Sequence, residues 1–333
     1  MMTDKPDWRP SANIANNKMK NEVLHQIRQY FEFHNVLEVD TPILGRSTIT
    51  DVHLDAMSTV HTNPLSTQKT QMYLQTSPEY FMKRLLCSGY PSIFQIAKCF
   101  RDDEVGTHHN PEFTMLEWYR LDFAMEELIH DVESILRLTL GVDGIEALSY
   151  QEAFSKYLSI DVFGVSLLEL MEFCEQQGFE HYVNSVKQIG DDDSRKDMLL
   201  QLLFSERIEA KIGNILPTVI THFPASQASL AKLNMADSRV AQRFEVYYRG
   251  MELANGFEEL GCERDLRTRF ERDNIQRSCL GKATRDLDEK FLQAHSYGLP
   301  ACSGVALGID RLLMIKSGAS DIGEVQTFSY ERV

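Results

Sequence analysis

The feature that most constrains this chain is the run Phe244-Glu245-Val246-Tyr247-Tyr248-Arg249-Gly250-Met251-Glu252-Leu253-Ala254-Asn255. It reads as two strands reversing at Arg249-Gly250, an antiparallel hairpin. In a regular register Tyr247 faces Glu252 and Glu245 faces Ala254, which makes Glu245 and Glu252 diagonal neighbours on one face. Two carboxylates so placed repel unless a cation lies between them. Magnesium carried by a nucleotide phosphate, hard and oxygen-seeking, suits the pair. The alternative is that both point into water, where their repulsion is weak.

A second pair of strands, 93–101 and 112–120, brackets the polar loop 102–111. Side chains two apart share a strand face, so Phe113, Met115, Glu117 and Tyr119 lie in one row. A ring, a carboxylate and a phenol together read as the floor of a binding site or as a solvated sheet face. Arg101 stands at the mouth of the loop. Arg311 ends Gly304-Val305-Ala306-Leu307-Gly308-Ile309-Asp310-Arg311, a glycine-bearing strand-to-helix junction. Planar guanidinium groups at such places clamp phosphates, although either alone also reads as a surface ion pair. There is no G-x-x-x-x-G-K-[ST] and no G-x-G-x-x-G, so a P-loop and a Rossmann cradle are excluded. A nucleotide bound by this chain would lie on an antiparallel sheet.

Elsewhere the apolar spacing predicts a helix over 19–33, then a strand from 36 that stops at Pro42. Residues 51–71 show no element. Ser77-Pro78-Glu79 reads as a helix start, with Ser77 as cap and the helix over 80–86. The stretch 122–215 reads as an inserted helical module with helices at 125–140, 150–157, 167–177 and 194–212, and Asp191-Asp192-Asp193 as a helix cap. Strands return at 219–223, 243–248, 251–254 and 303–307, before a closing helix at 310–316.

With 333 residues, 43% of them hydrophobic, the chain can form one domain over 1–333 carrying the 122–215 insertion. A net charge of −15 excludes a general affinity for phosphate backbones, and stable nucleic-acid binding is not expected. No apolar run reaches the ~18 residues of a membrane span, and the start is polar, so a cytoplasmic protein is expected. The cysteines form no C-x-x-C pair and read as free thiols.

Five ordered blocks carry a resemblance: Thr76-Ser77-Pro78-Glu79; Phe100-Arg101-Asp102-Asp103-Glu104; His109-Asn110-Pro111-Glu112-Phe113-Thr114-Met115-Leu116-Glu117-Trp118-Tyr119; Glu252-Leu253-Ala254-Asn255-Gly256-Phe257-Glu258-Glu259; and Gly308-Ile309-Asp310-Arg311. In order and spacing they resemble the catalytic core of class II lysyl-tRNA synthetases, over nearly the whole chain. The resemblance implies an α+β fold, a six-to-seven-stranded antiparallel sheet flanked by helices. It implies bent ATP, magnesium, and the joining of an amino acid to AMP. Arg101 would hold the α-phosphate and Arg311 the γ-phosphate. Phe113 would stack under adenine opposite Arg311, Asn110 and Asp103 would read the nucleoside, and Asp102 and Leu253 would adjoin the nucleotide. Gly308 would let the chain pass close to it, and Glu245 and Glu252 would take the magnesium. The amino-acid pocket would comprise Ser77, Pro78, Glu79, Glu117, Tyr119, Asn255, Glu259 and Ala306. The block ending at Pro42 resembles the family's dimer interface, which implies a homodimer.

The departures are informative. About fifteen residues precede the first helix, fewer than the ~50 of a small domain, so no anticodon-binding OB domain is expected. Asp103 replaces the family's usual glutamate, leaving the adenine contact to Asp103 or to Glu104. Ala306 stands where the family has glycine, and its methyl would crowd a group on a substrate's α-carbon, favouring an amine placed elsewhere. Tyr119-Arg120, the run from Gly250 to Phe257, His222-Phe223-Pro224-Ala225-Ser226-Gln227-Ala228-Ser229-Leu230 and the run from Ser303 to Gly308 resemble one truncated family, the elongation factor P (R)-β-lysine ligases. That resemblance implies a β-lysyl-adenylate whose acyl group passes to a lysine ε-amine of elongation factor P, with the protein's tRNA-like shape in the place of an acceptor arm; lysine is the other candidate substrate. Two alternatives stand beside it. One is a minimal enzyme charging tRNA or making another amide, although Glu79, Glu117 and Glu259 disfavour an acidic substrate. The other is a silent paralogue that binds an amino acid or a partner, against which Arg101, Arg311, Glu245 and Glu252 speak.

Overall fold

A computed structural model describes residues 8–102 and 104–333. Helix α1 (Ile14–Phe33) starts ahead of the expected stripe because Asn13 caps it, accepting the Asn16 N–H at 2.8 Å. Its Val23, Ile27 and Phe31 are fully buried, so the stripe faces the core and is no exposed seam. Strand β1 (Leu37–Glu38) is only two residues long, where the sequence suggested a strand up to Pro42; it lies parallel to β5 (Ile93–Phe100). Strands β2 (Leu44–Gly45), β3 (Ser58–Thr62) and β4 (Lys69–Leu74) form a small separate sheet, of which β3 and the start of β4 fall in the stretch 51–71 that showed no element. Every residue of β3 is exposed, and a strand without a buried face leaves no period to read.

Helix α2 (Glu79–Cys87) has Pro78 at its N-cap; Ser77 Oγ accepts the Glu79 N–H at 3.3 Å from one position further out than expected. After β6 (Glu112–Leu121), α3 (Met125–Leu140) coincides with its sequence reading. Glu127 accepts the Ala124 N–H at 2.8 Å, and Gly141, at φ +73°, stops the helix. Strand β7 (Glu146–Ser149) and helices α4 (Tyr150–Leu158), α5 (Leu167–Gln176), α6 (Glu180–Val186) and α7 (Asp192–Leu203) follow, and Asp191 caps α7. The expected helix to 212 ends early: residues 204–208 widen into a π turn whose Phe204 and Ile208 are buried, and 209–211 tighten again. The helical stretch divides between two cores. Met125, Leu128, Val132 and Ile135 of α3 join the main one, whereas Tyr150, Phe154, Leu170, Leu199 and Phe204 build their own.

Strands β8 (Thr218–Thr221), β9 (Arg243–Tyr248) and β10 (Met251–Glu258) lead to α8 (Glu263–Cys279) and α9 (Glu289–Tyr297), then β11 (Cys302–Gly308) and α10 (Ile309–Ser317). The sequence reading missed α8 and α9. Helix α8 buries only Leu266, Phe270 and Arg277, and the last is anchored by polar partners, the Asp55 carboxylate at 2.6 Å and the Asp51 carbonyl at 2.7 Å.

The main sheet has eight strands in the order β1-β5-β6-β11-β10-β9-β8-β7, more than the six or seven expected. Its centre is antiparallel, and the pairs β1–β5 and β7–β8 are parallel. One face packs under α1, α3 and α10: Phe31 stacks on Phe94 with ring centroids 4.4 Å apart, and Leu116, Trp118, Phe244, Val246, Val305 and Leu307 join them. Each such side chain contributes about 1.5–3 kcal/mol by leaving water.

The hairpin at Arg249-Gly250 forms, but its register differs from the expected one. Tyr247 pairs with Glu252 as read, whereas Glu245 pairs with Asn255 rather than Ala254, because a bulge intervenes between Glu252 and Ala254. The extra residue lets Glu252 and Asn255, three apart, face the same side. Gly256 lies on the core side, where an added Cβ would meet Phe244 Cζ at 2.5 Å and Val305 Cβ at 2.9 Å. Gly256→Ala is therefore expected to destabilise the fold by about 1–3 kcal/mol through overpacking. Denaturant unfolding reads this, and an unchanged midpoint would contradict the packing described.

Candidate active site

The other face of the sheet floors a cavity of 630 Å³. The row Phe113, Met115, Glu117 and Tyr119 lines it, so this face is a site floor and not a solvated surface. Beside it β11 offers Gly304, Ala306 and Gly308, and the cross-strand register sets Ala306 between Glu117 and Asn255.

One end of the cavity is acidic. Tyr119 donates its hydroxyl proton to Glu117 Oε1 at 2.5 Å. Burial pushes the Glu117 carboxyl up to about 8, with the Glu79 charge adding to it. Glu259 is pushed up by burial as well, while Lys83 pulls it back. Lys83 was not singled out from the sequence: its ammonium lies 2.6 Å from Glu79 Oε1 and 2.5 Å from Glu259 Oε2, and the side chain is 1% exposed. Its i,i+4 relation to Glu79 on α2 was the available signal. Burial, which disfavours an ammonium, is overcome by Glu259 and Glu79, so Lys83 stays charged. Glu117 Oε2, Asn255 Oδ1 and both carboxylate oxygens of Glu259 are buried without a hydrogen-bond partner among the described residues, Glu259 Oε2 having only its ion pair with Lys83.

The other end carries two arginines, each beside a carboxylate, Arg101 with Glu104 and Arg311 with Glu252 at 3.9 Å. The Arg101 guanidinium lies 5.0 Å over the Phe113 ring and pairs with Glu104 at 3.1 Å, leaving its buried Nε unpartnered. Arg311 donates to the Glu252 carbonyl at 2.8 Å and to Nε2 of His109, a second residue the sequence reading passed over. Burial and the Arg311 charge lower the His109 pKa, which keeps that nitrogen an acceptor. Gly308 lines the wall, where an added Cβ would meet nothing nearer than Arg311 at 3.8 Å, so the space beside it is open to a ligand.

Glu245 and Glu252 do share one face of the hairpin, as diagonal neighbours. Glu245 is gripped by three donors, Arg243, Tyr247 and Asn255, the last at 2.9 Å. Burial, then the Glu245 charge, raises Glu252 to about 7. A divalent cation would relieve that repulsion, so the pair fits magnesium, with Glu252 as the freer ligand. Leu253 and Ser77 line the cavity too. Three expected residues are placed differently. Pro78 is buried at the start of α2, and Asp102 is exposed beside the cavity rather than in its wall. Asn110 reaches the wall, but it donates to the Glu112 carbonyl at 2.7 Å and accepts the Tyr330 N–H at 2.9 Å, so half of its amide capacity shapes the loop. Asp103 lies outside the described residues, while Glu104 lines the cavity.

Because the Glu117 carboxyl holds its proton more tightly when folded than the ~4.3 of a free glutamate, its contribution to stability is full at low pH and lost as pH rises through about 8. The thermal midpoint of the free protein is expected to fall over that range, and less steeply for Glu117→Gln. Identical pH profiles for the two proteins would refute the assignment.

Residues 6–332 match the family model for class II tRNA synthetases (D, K and N). A curated protein of Proteus mirabilis (strain HI4320), named elongation factor P (R)-β-lysine ligase, is 46% identical over 331 residues, covering 99% of this chain and all of that protein. A protein of the same name from Haemophilus ducreyi is 46% identical over 328 residues, covering 98% of each. With its antiparallel-centred sheet and a cavity floored by that sheet, the chain belongs to the class II tRNA synthetases (D, K and N).

Proposed function

We propose that this protein is an ATP-dependent ligase that activates (R)-β-lysine as an aminoacyl-adenylate and transfers it to a lysine ε-amine of elongation factor P. The observation that carries the substrate class is the set of buried acceptors without a hydrogen bond, Glu117 Oε2, Asn255 Oδ1 and the Glu259 carboxylate, on one cavity whose other end holds Arg101 and Arg311. Buried acceptors without donors cost free energy, and ammonium groups supply donors and charge together. The names of the relatives support the protein acceptor.

In the first step a carboxylate oxygen of the amino acid forms a bond to the α-phosphorus, the bond from that phosphorus to the bridging oxygen breaks, and pyrophosphate leaves. Arg101 neutralises charge at the α-phosphoryl group and Arg311 holds the terminal phosphate. Phe113 offers its ring to adenine. Glu252, with Glu245, would hold magnesium, which supplies charge neutralisation on the phosphates. In the second step the acceptor amine, having lost its proton, bonds to the acyl carbon and AMP leaves. No side chain of the protein needs to become covalently attached. Ala306, between Glu117 and Asn255, narrows the floor where an α-amino group would sit, which favours the β-amino isomer over α-lysine.

A homodimer belongs to this reading. Phe33 at the end of α1, Leu37 in β1, and Ile43 and Leu44 at β2 are 38–83% exposed, apolar side chains suited to burial against a second copy.

Arg101→Ala is expected to lower ATP–pyrophosphate exchange about 10²–10³-fold, and full exchange would remove Arg101 from the chemistry. The reading as a whole is tested by intact-protein mass spectrometry of elongation factor P incubated with enzyme, ATP–magnesium and either lysine isomer. One added lysyl unit, gained faster with (R)-β-lysine, is the expected result. Charged tRNA beside unmodified protein would instead establish a minimal synthetase.

A further inference from the structure

Lys83 has no task in the chemistry above, yet it is a fully buried charge directly behind the acidic end of the cavity. Its ammonium touches Glu79 at 2.6 Å and Glu259 at 2.5 Å, and it lies 6.0 Å from the Tyr119 ring centre and 5.9 Å from that of Phe257. The side chain is 1% exposed. Packing around it is tight: a Cβ added at Gly304 would lie 2.3 Å from Tyr119 and 2.6 Å from Glu259 Oε1.

We propose that Lys83 is a resident counter-cation that sets the charge of this pocket and thereby selects an amino acid carrying two ammonium groups. Three carboxylates, Glu79, Glu117 and Glu259, meet at this end. With Lys83 among them and all three ionised, a state that burial opposes in the free protein and that bound ammonium groups restore, the formal charge is two negative, which two substrate ammonium groups balance. A monoamino acid leaves one buried carboxylate uncompensated, and a pocket without Lys83 leaves one uncompensated even with the diamine bound; both are costly in a dry site. Geometry adds to the charge count. Lys83 holds Glu259 through an ion pair to Oε2, and Oε1 stays outside that pair on the side of Gly304. Lys83 is thus a positioning and specificity-determining residue that need not touch the reacting atoms. The inference rests on the diamine reading of the site.

The test compares wild type, Lys83→Met and Lys83→Ala in ATP–pyrophosphate exchange with (R)-β-lysine, beside thermal melts. Lys83→Met fills the space without the charge, and is expected to raise the KM for the diamine about 10- to 100-fold, while the KM for ATP stays within about two-fold. Lys83→Ala opens a cavity that ethylammonium can enter, and is expected to regain diamine use, or folding yield if it folds poorly, with added ethylammonium but not with ethanol. A wild-type KM in Lys83→Met would overturn the proposal. So would equal rescue of Lys83→Ala by ethanol and ethylammonium, or no response of its activity and folding to either. If the wild-type enzyme itself shows no exchange with any diamino acid, the functional reading fails instead.

Discussion

A strand commits alternate side chains to opposite faces, and the central strands β6, β9, β10 and β11 spend one face on the core and the other on charge. Leu116, Trp118, Phe244, Val246, Val305 and Leu307 bind the sheet to α1, α3 and α10. Between them, on the same backbone, stand Glu117, Tyr119, Glu245 and Asn255. The site cannot shift without dragging the core with it. This rigidity lets the protein hold carboxylates in a position where their own repulsion and desolvation would otherwise spread them apart.

The same alternation explains how much of the protein could be read from its sequence. The floor row from Phe113 to Tyr119 and the opposed Glu245 and Glu252 follow from a period of two. Helix α3 follows from its apolar spacing and a glycine stop. What was illegible has physical causes. The bulge after Glu252 adds one residue without a sequence signal, so counting along β10 placed Ala254 where Asn255 stands; Asn255 was recovered only through the family resemblance. Strand β3 buries neither face, and α8 is anchored by Arg277 rather than by an apolar stripe, so both lack the period that reveals an element. Lys83 was invisible for another reason: an i,i+4 Glu–Lys pair on a helix is ordinarily a surface feature, and only the tertiary fold brings Glu259 to its other side.

Burying charge requires partners, and the site's two ends solve this differently. Glu245 is saturated by the protein itself, with Arg243, Tyr247 and Asn255 donating to it. It is held diagonally to Glu252 on the same face. Its three donors fix it in place, and Glu252, raised to about 7 by desolvation and then by the Glu245 charge, gains most from a cation. At the amine end the protein stops short of saturation. Tyr119 takes one oxygen of Glu117 and Lys83 one of Glu259, and the remaining oxygens are left for a ligand. An incomplete network costs stability in the free protein, and that cost is recovered on binding.

On the proposed reading, the arrangement also orients the substrate before any chemistry occurs. An amino acid with two ammonium groups and a carboxylate is itself a dipole, and the cavity is its complement, with Glu79, Glu117 and Glu259 at one end and Arg101 and Arg311 at the other. Reversal would set ammonium groups against guanidinium groups in a low-dielectric space, where like charges interact far more strongly than in water. Only one orientation therefore brings a carboxylate to the phosphate end, and the field that chooses it is the one that neutralises the charge developing there. Selection of the substrate and its activation become two effects of a single charge distribution, built on one face of one sheet.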